Sequence, residues 1–145
     1  VRKLLLPIDS GDLSENLKNC VKDFAVDIKS DVTLLYVIPV APVEHNLMNV
    51  DLYNYREKNK EQFEAHANEL LEKAEADLRA LGVETIEKTI ASGDPADEIL
   101  KMIESGQYHY VIMNTHGMGA VRRLLIGSVT NKIVHHSDIP VLTVK

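Results

Sequence analysis

The chain switches hydrophobic period along its whole length. Short, near-continuous apolar runs alternate with longer segments whose apolar residues recur every three to four positions. A continuous apolar run suits a strand buried on both faces, and a stripe of period 3.6 suits a helix with one face on a core. Regular alternation of the two leads to a parallel sheet with helical crossovers, an α/β fold.

Residues 3–8 form the first run, stopped by Asp9, Ser10, Gly11 and Asp12. Leu13, Leu17, Val21, Phe24, Ala25 and Ile28 then recur at helical spacing, and Asp12 with Glu15 three residues on reads as a capping box. Residues 32–38 are the second strand. Residues 39–52 are irregular, broken by Pro39 and Pro42, a length often tied to function or mobility. A long helix is expected over 53–81, with Phe63, Ala67, Leu70, Leu71, Ala74, Leu78 and Leu81 as its stripe and Gly82 at C′. Residues 83–90 carry polar side chains on both faces, which suits a sheet edge. Asp94 and Pro95 open the next helix as N-cap and first residue, Ile99, Leu100 and Ile103 face inward, and Gly106 ends it. The fourth strand is 110–113 and the fifth 141–144. Between them lie a glycine-containing connection over 114–127 and a short helix over 128–136, with Ser128 as candidate N-cap.

Composition narrows the function classes. The 145 residues are one domain's worth of sequence, read as a single domain over 1–145 with a core that needs no staples. Lys and Arg number 16 and Asp and Glu 22, for a net charge of −6. That balance argues against nucleic acid or an acidic membrane surface as partner. It leaves room for one small anion, because backbone N–H groups bind phosphate without basic side chains. The single cysteine, Cys20, allows no intrachain disulfide and fits a reducing, cytoplasmic setting as a small buried apolar residue. No run approaches the roughly 18 apolar residues of a membrane span, and the first residues hold too short an apolar stretch for a signal peptide.

The chemistry concentrates in one segment. Glycines stand at 117, 119 and 127, and Ser128, Val129 and Thr130 then open a helix. Glycine lets backbone approach a ligand, and a helix N-terminus presents unpaired N–H donors and a favourable dipole. The Ser128 and Thr130 hydroxyls are further candidate donors. The segment reads as a phosphate cradle after a strand. It lacks the Gly-Lys-Ser/Thr of a Walker A loop. It also departs from the dinucleotide fingerprint, since Arg122 stands where the third glycine belongs and the segment follows the fourth strand.

Gly117, nine intervening residues and Gly127-Ser128 resemble the second half of the universal stress protein signature, Gly-x2-Gly-x9-Gly-Ser/Thr. The resemblance extends over the chain, through residues 4–9, 34–37, 93–100 and 139–144. It implies a five-stranded parallel, Rossmann-like sheet of order 3-2-1-4-5 with helices on both faces, and an adenine-nucleotide site. Pro7, Asp9 and Val37 would meet the base. Asn114, Thr115, His116, Gly117, Met118, Gly119 and Ala120, with Gly127, Ser128, Val129 and Thr130, would hold ribose and phosphates. The implied cofactor is ATP, with any Mg or Mn held through its phosphates. Asn114 departs from the family's first signature glycine. Asn tolerates left-handed backbone better than most residues, so the turn can survive, but its side chain adds bulk beside the ribose.

Other features weigh less. Arg122 and Arg123 suit either a triphosphate or plain solvent exposure, and the six histidines form no metal constellation. The adjacent His135 and His136 suit a helix C-terminus. No nucleophile–base pair stands out, so the expectation is a nucleotide-binding stress regulator and at most a weak ATPase. The alternative is a nucleotide-free dimeric scaffold. A phosphorelay receiver is excluded because the third strand ends in Ile90-Ala91-Ser92, with no Asp to modify. The implied strand order leaves the fifth strand at an edge, and the resemblance implies a homodimer through Val141, Leu142, Thr143 and Val144.

Overall fold

Leu4, Leu5 and Leu6 have no exposed surface, so the first apolar run is covered on both faces. The computed structural model describes residues 1–40, 54, 55, 57–115 and 127–145. Its elements in chain order are β1 (Arg2–Ile8), α1 (Glu15–Lys22) continued by a π-helical segment (Asp23–Asp27), β2 (Ser30–Pro39), α2 (Lys60–Ala80), β3 (Ile86–Gly93), α3 (Pro95–Glu104), β4 (Tyr110–Asn114), α4 (Ser128–His136) and β5 (Val141–Val144). All strand pairs are parallel, in the order β3-β2-β1-β4-β5. The doubly wound fold expected from the alternation is the one observed.

Period-2 alternation divides the core into two layers. Leu4 and Leu6 of β1 and Leu34 of β2 face Leu17 and Val21 of α1 and Leu71, Ala74 and Leu78 of α2. Leu5, Leu35, Val37, Val111 and Met113 face Ala96, Ile99 and Ile103 of α3 and Ile133 of α4. Helices therefore cover both faces. Among the described residues no helix is long and apolar enough to cross a membrane.

Element boundaries depart from the sequence reading where capping chemistry decides. The cap of α1 is Ser14, not Asp12: the Ser14 hydroxyl accepts from Leu17 N–H at 3.2 Å. The Ser10 hydroxyl accepts from Asp12 N–H and turns the loop first, and the Asp12 carboxylate pairs with Lys73 on α2. The expected 53–81 helix has a turn at Asn59, whose amide donates to Tyr55 O, and α2 proper starts at Lys60. Its buried stripe begins at Ala67, while Phe63 stays exposed. β3 starts at Ile86 rather than Val83 because Val83 completes the end of α2. Gly82, with φ of 99°, donates from its N–H to Arg79 O at 3.0 Å, and Val83 donates to Leu78 O at 3.2 Å. These are the paired bonds of a Schellman cap, and Val83 and Leu78 share its hydrophobic contact in the core. Asp94 caps α3 as expected, accepting from Asp97 N–H at 3.0 Å, with Pro95 as the first helical residue. α4 is capped by Gly127 rather than Ser128, with no side-chain cap bond.

Candidate functional site

In a parallel sheet every strand ends on the same side, and a crevice opens where the winding reverses. Here that point lies between β1 and β4. A cleft of about 380 Å³ opens there, within the usual range for small-molecule sites. β1 and its exit supply Pro7, Ile8 and Asp9; β2 supplies Leu35, Tyr36, Val37 and Pro39; β4 supplies Met113 and Asn114. Pro95 and Ile99 come from the first turns of α3, and Gly127, Ser128, Val129 and Thr130 from the start of α4.

Of the residues singled out by sequence, Pro7, Asp9, Val37, Asn114, Gly127, Ser128, Val129 and Thr130 are brought together on this lining. Thr115 is buried beside it. His116, Gly117, Met118, Gly119 and Ala120 lie outside the described residues, as do Arg122 and Arg123. Sequence reasoning missed Ile8, Leu35, Tyr36, Pro39, Met113, Pro95 and Ile99. The first five were open to the rule that strand carboxyl ends face the crevice. Pro95 and Ile99 carried no signal beyond helix periodicity.

Three hydrogen bonds fix the ends of the 114–127 connection. Thr115 N–H donates to Val144 O at 2.8 Å, Gly127 N–H to Thr115 O at 2.6 Å, and the Thr130 hydroxyl to Asn114 O at 2.7 Å. Thr115 thus acts through its backbone, and the Thr130 hydroxyl proton is engaged within the protein. Asn114 is the last residue of β4, in register with Val144. Lys29 is the non-glycine residue with positive φ among those described, so left-handed tolerance is not what Asn114 contributes.

The two ends of the cleft differ electrically. The first-turn N–H groups of α4 have no acceptors within the helix, and no acidic residue stands in that turn. The first turn of α3 instead carries Asp97 and Glu98. Asp9 is exposed at the β1 end. Burial and the Asp9 carboxylate both push the Tyr36 phenol up from its ordinary value. An apolar slot with a carboxylate at the strand ends and uncapped N–H donors at a helix start can hold a flat polar ring at one end and an anion at the other.

The sequence model of the universal stress protein family matches residues 1–145. The chain belongs to that family. Universal stress protein MJ0577 of Methanocaldococcus jannaschii is 27% identical over 154 residues, covering 99% of this chain and 94% of its own. The solved structure of MJ0577 has a TM-score of 0.73 at 32% identity in the structural alignment, covering 99% and 95% of the two chains. A family protein from Arabidopsis thaliana solved with AMP bound has a TM-score of 0.65 at 19% identity, covering 100% and 92%. One from Archaeoglobus fulgidus in complex with dAMP has a TM-score of 0.68 at 14% identity, covering 100% and 98%. The last two likenesses are of fold.

Proposed function

We propose that this protein binds an adenine nucleotide, ATP above all, and acts as a cytoplasmic stress-response regulator built as one domain over 1–145. The observation that carries this reading is the facing of Pro7, Asp9 and Val37 across one cleft from the first turn of α4. The base would lie against the strand ends, with a donor at its edge satisfied by the Asp9 region. The phosphates would lie on the N–H groups of Ser128, Val129 and Thr130 and on the Ser128 hydroxyl. Asn114, Thr115 and the stretch His116–Ala120 would flank the ribose and phosphates. Family members from Arabidopsis and Archaeoglobus solved with AMP and dAMP support the ligand class.

No group of three or more His, Cys, Asp or Glu residues able to hold a metal exists among the described residues. A Mg or Mn ion would therefore enter on the nucleotide's phosphates. Hydrolysis, in this reading, is slow at most. The half-buried strand β5 at the sheet edge supports a homodimer through Val141, Leu142, Thr143 and Val144. Sedimentation as a monomer at micromolar concentration would remove that part.

The test of the site is calorimetric titration of ATP, ADP and AMP against wild type, Asp9→Ala and Gly127→Val, after identifying any nucleotide released on denaturation. Gly127 has a φ of −61°, so valine adds bulk at the cleft without backbone strain. Binding by wild type and its loss in both variants is expected. Asn114 on the lining favours a second reading, a nucleotide-free dimeric scaffold, because its side chain adds bulk to the cleft. No heat from any nucleotide would select that reading, and uptake restored by Asn114→Gly would identify the cause.

A further inference from the structure

Asp97 in the first turn of α3 and Lys132 of α4 form an ion pair at 2.9 Å. Lys132 follows Ser128 by four residues, so the two share a face of α4. A long helical side chain leans towards its helix N-terminus, which lays the Lys132 stem over the first turn, where the N–H groups have no acceptor within the helix. Asp97 lies two residues past Pro95, which lines the cleft. The pair joins the first turn of α3 to the second turn of α4, one turn on from Ser128, and neither side chain is on the lining itself.

None of the described residues lining the cleft is Lys, Arg or His, and Lys132 is the first basic residue of α4. The hydrogen bond from Lys132 holds the Asp97 carboxyl below the usual range, and the same bond raises Lys132, so both are charged at neutral pH. About half of each side chain is in water, at 45% and 55% exposure, and a pair so exposed is weakly held. A polyphosphate carries more charge than one carboxylate and forms charge-assisted bonds with an ammonium.

Resting on the nucleotide reading above, we infer that Lys132 is a specificity-determining residue of that site. It exchanges the Asp97 carboxylate for the outer phosphates of a nucleoside triphosphate, with Asp97 as the competitor inside the chain. A monophosphate stays on the N–H groups of the first turn and leaves the pair closed. The preference for triphosphate over monophosphate is thus set by two side chains outside the lining itself.

The test is calorimetric titration of ATP and AMP against wild type, Asp97→Asn, Lys132→Met and Lys132→Arg, with thermal denaturation of each variant to check the fold. Asp97→Asn is expected to tighten ATP about three- to tenfold and Lys132→Met to weaken it about tenfold, with AMP unchanged in both. Lys132→Arg is expected to keep the ATP preference, and all these differences should shrink near 1 M salt, where the Debye length falls to about 3 Å. ATP and AMP shifting alike would overturn the proposal and leave the pair as a strut between α3 and α4. Wild type binding both nucleotides, with a ratio that no variant changes, would sink the role of Lys132 and leave the site standing. Wild type binding neither would remove the site and this role together.

Discussion

Thr130 tests whether the cleft is held open by a specific bond. Its hydroxyl donates to Asn114 O at 2.7 Å, and the residue is only 4% exposed. The bond ties the first turn of α4 to the end of β4. Thr130→Val keeps the shape and removes the donor, so Asn114 O loses a partner in a partly buried place beside the cleft. Losing a partly buried bond of this kind costs about 1 kcal/mol, and for a domain of this size Tm should fall by about 3 °C. Thr130→Ser keeps the hydroxyl and removes a methyl group, which separates bonding from packing. Urea unfolding of the three proteins measures the stability, and titration with nucleotide measures the site. The expected order of stability is wild type, then Thr130→Ser, then Thr130→Val. Thr130→Val should also bind nucleotide more weakly, because the α4 donors lose their anchor. Thr130→Val within about 0.5 kcal/mol of wild type, or Thr130→Ser as damaged as Thr130→Val, would show that the bond is not what holds the helix start.

Glu75 and Gly82 give further checks on the scaffold. Glu75 joins α2 to β3 through Lys88 at 3.1 Å and to Arg79 at 3.2 Å, and Lys88, then Arg79, hold its carboxyl below the ordinary 4.5. A folded-state value below the unfolded one adds stability at neutral pH that is lost as acid is added. Wild type should therefore exceed Glu75→Gln in stability above about pH 4.5, with the gap closing as pH falls through the lowered value. A gap independent of pH in acid unfolding curves would contradict the assignment. Gly82→Ala forces alanine to a φ of 99° with its Cβ in ordinary contact with Val26 at 3.8 Å, so backbone strain should cost about 1 kcal/mol, readable in a urea midpoint. An unchanged midpoint would mean that the cap does not require glycine.

The parallel, doubly wound fold was legible in sequence because strands buried on two faces read as continuous apolar runs, as Leu4–Leu6 do, whereas the strand order came from the family resemblance. The errors fell where two local solutions were nearly equal. Asp12 and Ser14 are both good N-caps two residues apart, and the choice between them coincides with Lys73, 61 residues away, pairing with Asp12. Val83 has strand character by itself, yet its N–H closes α2. The backbone of Asn114 looked like a turn until Val144, thirty residues on, paired with it in the sheet. The strand-end residues of the site, including the missed Ile8, Leu35, Tyr36, Pro39 and Met113, could follow from topology. Pro95 and Ile99 could not, because how closely α3 approaches the cleft depends on packing and not on its own periodicity.

α4 shows why a site of this kind is written in glycine and not in a stronger cap. α1 and α3 have side-chain caps from Ser14 and Asp94, and α1, α2 and α3 all carry acid in the first turn. α4 has neither, so among the described residues no side chain caps its first-turn N–H donors. In the proposed function local stability and anion binding would compete for the same donors, and Gly127→Asp should move them in opposite directions. The backbone there, at φ −61° and ψ 155°, suits an Asp cap. Asp at N-cap is favoured over Gly by a few tenths of a kcal/mol, and a carboxylate near a helix N-terminus adds about 0.3–1 kcal/mol. The variant should therefore unfold at slightly higher urea while its nucleotide affinity collapses, since the new carboxylate occupies the donors and repels the phosphates. Thermal or urea unfolding and calorimetry on one preparation decide it. Stability and affinity falling together would mean that Gly127 is needed for the fold itself, and affinity unchanged would mean that the phosphates do not rest on α4.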